Sequence, residues 1–239
     1  AGLAVLWFFL SRNPARVVTT SVQAKQLEDV LWGEIKRFIQ SAKVQLPIVY
    51  NHLHIRRVLN GKYVPLAEIR GQVTQKGEAL LGRHLHKGDN EYPRTLVVFD
   101  EASGISDATY ESSDTWAHRK LVIGNPYPCQ NFFYRAVKKG DVSRLSGNGY
   151  YTKVIEIRAD DSPNVIKGRH NDQVLSVENS NPILIPGLVD YSTYKKRRVT
   201  WDEMRQCIGL DERFYEGKEN LLYPADALGH YMLLATNIR

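Results

Sequence analysis

The sequence predicts an α/β fold, a mainly parallel sheet flanked by helices in three layers, and three observations carry that expectation. Short apolar and β-branched runs, Arg16-Val17-Val18-Thr19-Thr20, Leu96-Val97-Val98-Phe99 and Lys120-Leu121-Val122-Ile123-Gly124, have the length of buried strands. Segments with helical spacing of apolar residues fill the intervals between them. The second and third runs end on Asp100-Glu101 and on Asn125-Pro126, at the strand ends where open α/β sheets bind their ligands.

Along the chain, Gly2 to Leu10 is continuously apolar and far too short to cross a bilayer, so it reads as a buried helix entered partway along. Arg12-Asn13-Pro14 breaks it before the first strand. From Val22 onward, Leu27, Val30, Leu31, Ile35, Phe38 and Ile39 recur at helical spacing, with Ser21 available as the cap. Val44 to Val73 reads as irregular strands with a hairpin turn at Asn60-Gly61. After Asp100-Glu101, Gly104 breaks the strand and Ser106 caps a short helix through Tyr110 toward Trp116. Asn131 to Lys139 is a helix closed by Gly140, and Tyr151 to Ile157 alternates like a strand. Beyond Ala159 the chain turns polar and proline-punctuated, through Asp160-Asp161-Ser162-Pro163-Asn164, Asn181-Pro182 and Ile185-Pro186-Gly187. This implies a core over 1–159 and a lid or linker subdomain over 160–239, the latter folded because Thr200-Trp201-Asp202-Glu203 is a capping box.

A formal net charge of +6 over 239 residues favours polyanionic partners, since phosphate backbones reward lysine and arginine through counterion release. Lys195-Lys196-Arg197-Arg198, interleaved with Tyr191, Tyr194 and Trp201, reads either as a nucleic-acid contact or as a solvated face with local packing. Two cysteines, Cys129 and Cys207, form neither a disulfide framework nor a metal-ligand spacing, which fits an intracellular setting. No signal peptide or membrane span is expected.

The chemistry concentrates at Leu96 to Ala102, where a buried apolar run delivers two adjacent carboxylates, the pattern of an NTPase Walker B strand. Such a pair divides the work of phosphoryl transfer: Asp100 holds Mg²⁺, directly or through a water, and Glu101 orients and polarises the attacking water. The rival reading is an apolar strand that ends in a solvated Asp-Glu turn.

In its order of motifs the chain resembles the ATPase part of a tailed-bacteriophage terminase large subunit, the motor that packages DNA. The motifs are Val17-Val18-Thr19-Thr20 leading into Leu31-Trp32-Gly33-Glu34-Ile35; Gly82-Arg83-His84 ahead of Val97 to Ala102; Leu121-Val122-Ile123-Gly124-Asn125-Pro126; and Asp161-Ser162-Pro163-Asn164-Val165, with Ile185-Pro186-Gly187-Leu188-Val189 suiting the segment beyond. The resemblance implies a P-loop NTPase-like sheet of the RecA type, hydrolysis of ATP with Mg²⁺, and catalytic roles for Asp100, Glu101 and Asn125. Asn125 would sense the terminal phosphate. It further implies double-stranded DNA, the terminase small subunit and the portal protein as partners of a homo-oligomeric ring, working in the bacterial host cytoplasm at the procapsid. The family's glycine-rich phosphate loop, ending in Gly-Lys-Ser/Thr, has no counterpart in the sequence. It is therefore expected upstream of Ala1, so that the fragment alone would be inactive, and its nuclease domain is expected to be absent. Two alternatives stay open: a helicase-like nucleic-acid ATPase, and a non-catalytic DNA-binding or assembly module on a degenerate NTPase scaffold.

Other candidates carry less. Arg83 could neutralise charge but reads as a surface arginine, and His52/His54 and His84/His86 have a one-face strand spacing without a third ligand. Ser146-Gly147-Asn148-Gly149 lacks a following Lys-Ser/Thr and suggests a hairpin.

Overall fold

A computed structural model of the chain describes residues 1–73, 94–125, 130–139, 150–177, 180–196 and 230–237. It shows an α/β fold with a mixed, mostly parallel sheet flanked by helices, and no helix among the described residues is long and apolar enough to cross a membrane. The chain divides into two compact units, one of residues 1–124, 131–155 and 232–239, the other of residues 125–130 and 156–231.

The first unit begins with α1 (Gly2–Leu10), whose Val5, Leu6, Phe8 and Phe9 are buried while Leu3 and Trp7 face outward. Strand β1 (Arg16–Thr20) follows, buried from Val17 on. The expected long helix is instead composite: α2 (Ala24–Gln26), a π-helical segment over Leu27–Trp32, and α3 (Gly33–Gln40). Its N-cap is Gln23 rather than Ser21, and no side chain caps it. A π turn takes up more residues than an α turn, so the apolar stripe slips out of the 3.6 period and Val30 is left exposed.

The segment read as irregular strands forms an antiparallel wing whose register shifts between Arg56 and Val58. It comprises β2 (Ile48–Asn51), β3 (His54–Leu59) and β4 (Lys62–Gly71). Pairing of Leu59 with Lys62 leaves Asn60-Gly61 as a two-residue turn, with φ of 50° and 74°, the left-handed pair that a hairpin of this length needs. His52 occupies the turn between β2 and β3 with φ of 46°, so the expected one-face pair with His54 does not form.

Strands β5 (Thr95–Phe99) and β6 (Arg119–Gly124) are separated by the helical turn Ala102–Gly104 and by α4 (Asp107–Glu111). Ser106 caps α4 as expected, its hydroxyl accepting from the Thr109 N–H at 3.3 Å. Helix α5 (Phe132–Lys139) and strand β7 (Tyr150–Ile157) follow, and β8 (His230–Asn237) joins the sheet without having been anticipated. The strand order is β2-β3-β4-β1-β5-β6-β8-β7, with β4, β1, β5 and β6 mutually parallel.

Both faces of the parallel block are covered, which is why β1 and β5 are buried along nearly their whole length rather than in alternation. On one face Val17, Leu96 and Val98 pack with α1 and with Leu27, Leu31, Trp32 and Ile35. The Trp32 indole N–H donates to Thr19 Oγ1 at 2.9 Å on that side. Phe99 marks the other face, its ring 5.4 Å from Tyr110 and 5.8 Å from Phe132, which stack on each other at 4.0 Å.

In the second unit, α6 (Pro163–Gln173) falls where linker was expected, and a further helix, α7, covers residues 191–196. Proline starts α6 at a position whose N–H has no helical partner to lose. Asn164 is fully satisfied across the gap to the following loop. Its amide donates to the carbonyls of Ile185 at 3.0 Å and Leu188 at 3.4 Å, and its Oδ1 accepts from the N–H groups of Leu184 and Ile185. The two motifs Asp161–Val165 and Ile185–Val189 are thus halves of one clamp. Gly168 lets α7 approach, since a Cβ there would lie 2.3 Å from that of Tyr191. Tyr191 and Tyr194 are buried, and Lys195 pairs with Asp172 at 3.1 Å, so the described part of the basic-aromatic run packs locally instead of forming a stacking surface. Arg197, Arg198, Trp201 and the capping box at Thr200 lie outside the described residues, as do Cys129, Cys207, Arg83, His84, His86, Gly140 and Ser146–Gly149.

Candidate active site

Parallel pairing aligns the carboxyl ends of β1, β5 and β6 on one sheet edge, with Thr20 in register with Phe99 and Phe99 with Val122. Asp100 is the next residue beyond β5, and its N–H still donates to the Thr20 carbonyl at 2.8 Å, so the ladder continues to the acid itself. Burial pushes the Asp100 carboxyl above its ordinary value. The neighbouring Glu101 charge adds to the rise, while the Glu101 backbone N–H and the amino group of Ala1 oppose it.

Glu101 adopts a left-handed conformation, φ 54° and ψ 49°, which costs a non-glycine residue about 1–2 kcal/mol. Such strain persists only where surrounding structure over-determines it, and here the surroundings are identifiable. Asn131, just ahead of α5, donates from its side-chain amide to the carbonyls of Ala102 at 2.8 Å, Ser103 at 3.2 Å and Ile105 at 2.7 Å. Its Oδ1 meanwhile accepts from the N–H groups of Phe133 and Tyr134 at the start of α5. Asp107 adds a second tie, accepting from the Phe132 N–H at 2.6 Å and from Arg135. Gly124 completes the fit, because a Cβ there would sit 3.0 Å from the Ala102 nitrogen. The turn that carries Glu101 is therefore held by the end of β6 and the start of α5.

No protein-family model, curated protein or solved structure matches the chain.

Of the three residues expected to act together, Asp100 and Glu101 share the first unit and are adjacent at its sheet edge. Asn125 follows Gly124 at the end of β6 and falls in the second unit, its side-chain Oδ1 buried without a hydrogen-bond partner. Two further orphans at the same edge escaped the sequence reading: Thr20 Oγ1 and Ser21 Oγ, both buried and without a partner. Their signal was a hydroxyl pair ending the strand that neighbours the acidic one. Asn131 carried no signal, since its role depends on contacts 26 to 29 residues away in sequence.

No three His, Cys, Asp or Glu side chains converge among the described residues. A divalent ion at Asp100 would therefore draw on carboxylate, hydroxyl and water oxygens. That all-oxygen donor set suits a hard cation such as Mg²⁺, and the unpartnered Ser21 hydroxyl at the end of the neighbouring strand β1 is one such oxygen.

The remaining titratable cluster lies on the wing. Glu68 is nearly buried and meets Arg70 at 2.7 Å, His54 at 2.9 Å and Arg16 at 3.2 Å. Burial alone would raise its carboxyl, but hydrogen bonds from Arg70 and His54 and the charges of Arg70 and Arg16 hold it below the ordinary range. On β6, burial lowers the Lys120 ammonium although Asp114 pairs with it, and it also lies over the Tyr110 ring at 3.7 Å. Both clusters brace strands and helices.

Proposed function

We propose that the chain is the ATPase part of a tailed-phage terminase large subunit, powering translocation of double-stranded DNA into a procapsid. The observation that carries this reading is the delivery of Asp100 and a strained Glu101 to the carboxyl edge of a parallel sheet, one strand from β6, which Asn125 follows in sequence. A P-loop NTPase-like sheet is the finer fold this supports. The order of motifs along the chain adds the family, and the net charge of +6 suits a polyanionic track.

In this reading Asp100 holds the cation and Glu101 accepts a proton, at its carboxylate, from the water it orients. When bound, Mg²⁺ with ATP neutralises charge on the β- and γ-phosphates. Asn125, with an unpaired buried amide oxygen, reports the state of the terminal phosphate by changing its hydrogen bonds. Asn131 holds the turn so that Glu101 keeps its angle. Small-subunit and portal contacts and a homo-oligomeric ring belong to the same proposal.

The test is ATP hydrolysis by the full-length gene product with and without duplex DNA. Replacing Glu101 by Gln should lower kcat roughly a thousandfold, within the range for losing a general base, while DNA binding persists. Unchanged turnover in that variant would overturn the reading.

A further inference from the structure

We infer that Ser21 is a second protein ligand of a divalent-cation site whose first ligand is Asp100, so that the ends of β1 and β5 together form the site. The inference rests on the reading of Asp100 given above and extends it to a residue that no motif marks. Thr20 and Phe99 are paired in register, and Asp100 donates to the Thr20 carbonyl, so Ser21 and Asp100 are the next positions on adjacent parallel strands. Alternation supplies the face. Thr19 bonds Trp32 on the α1 side, and Phe99, opposite Thr20, meets Tyr110 and Phe132 on the other. One more residue returns Ser21 and Asp100 to the α1 side together.

The Ser21 hydroxyl is 2 % exposed and has no hydrogen-bond partner. Leaving such a group unsatisfied is costly, so an unpaired hydroxyl next to a partly buried carboxylate needs an explanation. Packing alone would be served better by alanine. A hard cation explains both groups, because it takes a neutral hydroxyl and a carboxylate as oxygen ligands and completes its shell with water. Ser21 also fails in the role its sequence position suggested, since Gln23 stands at the N-cap of the following helix.

The experiment uses Mn²⁺ as the probe and the 239-residue chain as the sample, reading paramagnetic broadening of assigned backbone amide resonances during titration. In the parent chain the amides around Ser21 and Asp100 should broaden first. Ser21→Ala should weaken this Mn²⁺ binding at least fivefold with a thermal unfolding midpoint no lower than the parent's, and Ser21→Thr should restore binding. Binding equal to the parent in Ser21→Ala, alongside loss in Asp100→Asn, would overturn the role of Ser21 and leave Asp100 as the cation holder. Absence of localised broadening in the parent chain would overturn the cation site itself. Hydrolysis by the full-length gene product, measured separately, decides the motor reading whichever result is obtained.

Discussion

At the residue scale, Glu101 is where local preference and global structure disagree. An acid in the left-handed region is held there by Asn131, Asp107 and the bare edge of Gly124, while glycine would adopt the same angles without strain. Glu101→Gly should therefore raise the stability of the chain by up to about 1 kcal/mol in thermal unfolding. In the motor reading the same substitution abolishes turnover. A lower midpoint in that variant would show that the carboxylate itself contributes to folding. Adjacent acids after an apolar run were visible in the sequence, but the backbone angle that aims the second one was not, because it is set by side chains far along the chain.

Elements differ in how far they could be read. Strands β1, β5 and β6 were legible because each is a short, continuous apolar run, and α4 because Ser106 stands at its cap. Helix α6 was not, since Val165 and Ile166 are adjacent rather than spaced along one face, and its docking relies on Asn164 and on an absence of side chain at Gly168. The π segment was hidden for a related reason: the apolar stripe from Leu27 to Ile39 fits an α period well enough until tertiary packing shifts it. Gly168→Ala tests the α6 argument. Helix propensity alone would gain about 1 kcal/mol, but a Cβ at 2.3 Å from that of Tyr191 forces α6 and α7 apart. The net effect should be a loss of about 2 kcal/mol, read as a lower denaturation midpoint. A gain would mean that the helix pair has slack to absorb a methyl group.

For the whole molecule, the alternation of strands and helices was enough to anticipate an α/β sheet with helices on both faces. The hairpin turn at Asn60-Gly61 announced part of the antiparallel wing, whereas the late strand β8 joins the sheet through long-range pairing that no local pattern announces. The wing is joined to the parallel block partly through Glu68 and its three basic neighbours, and this gives stability a pH dependence of definite sign. Because the Glu68 carboxyl is held below its ordinary value, its contribution is complete above the unfolded-state pKa of about 4.3. It is lost as pH falls through the folded-state value. Glu68→Gln should thus melt below the parent at neutral pH, with the difference shrinking through the acid range. A constant difference down to low pH would assign the effect to packing rather than charge.

One consequence follows from the four hydrogen bonds made by Asn164. Two backbone amides of an otherwise irregular stretch, those of Leu184 and Ile185, are locked to a helix some twenty residues earlier, so they can meet solvent deuterium only when that helix lets go. Their exchange should keep pace with the slow interior amides of α6 rather than with ordinary surface loops, and swapping Asn164 for alanine should release both at once.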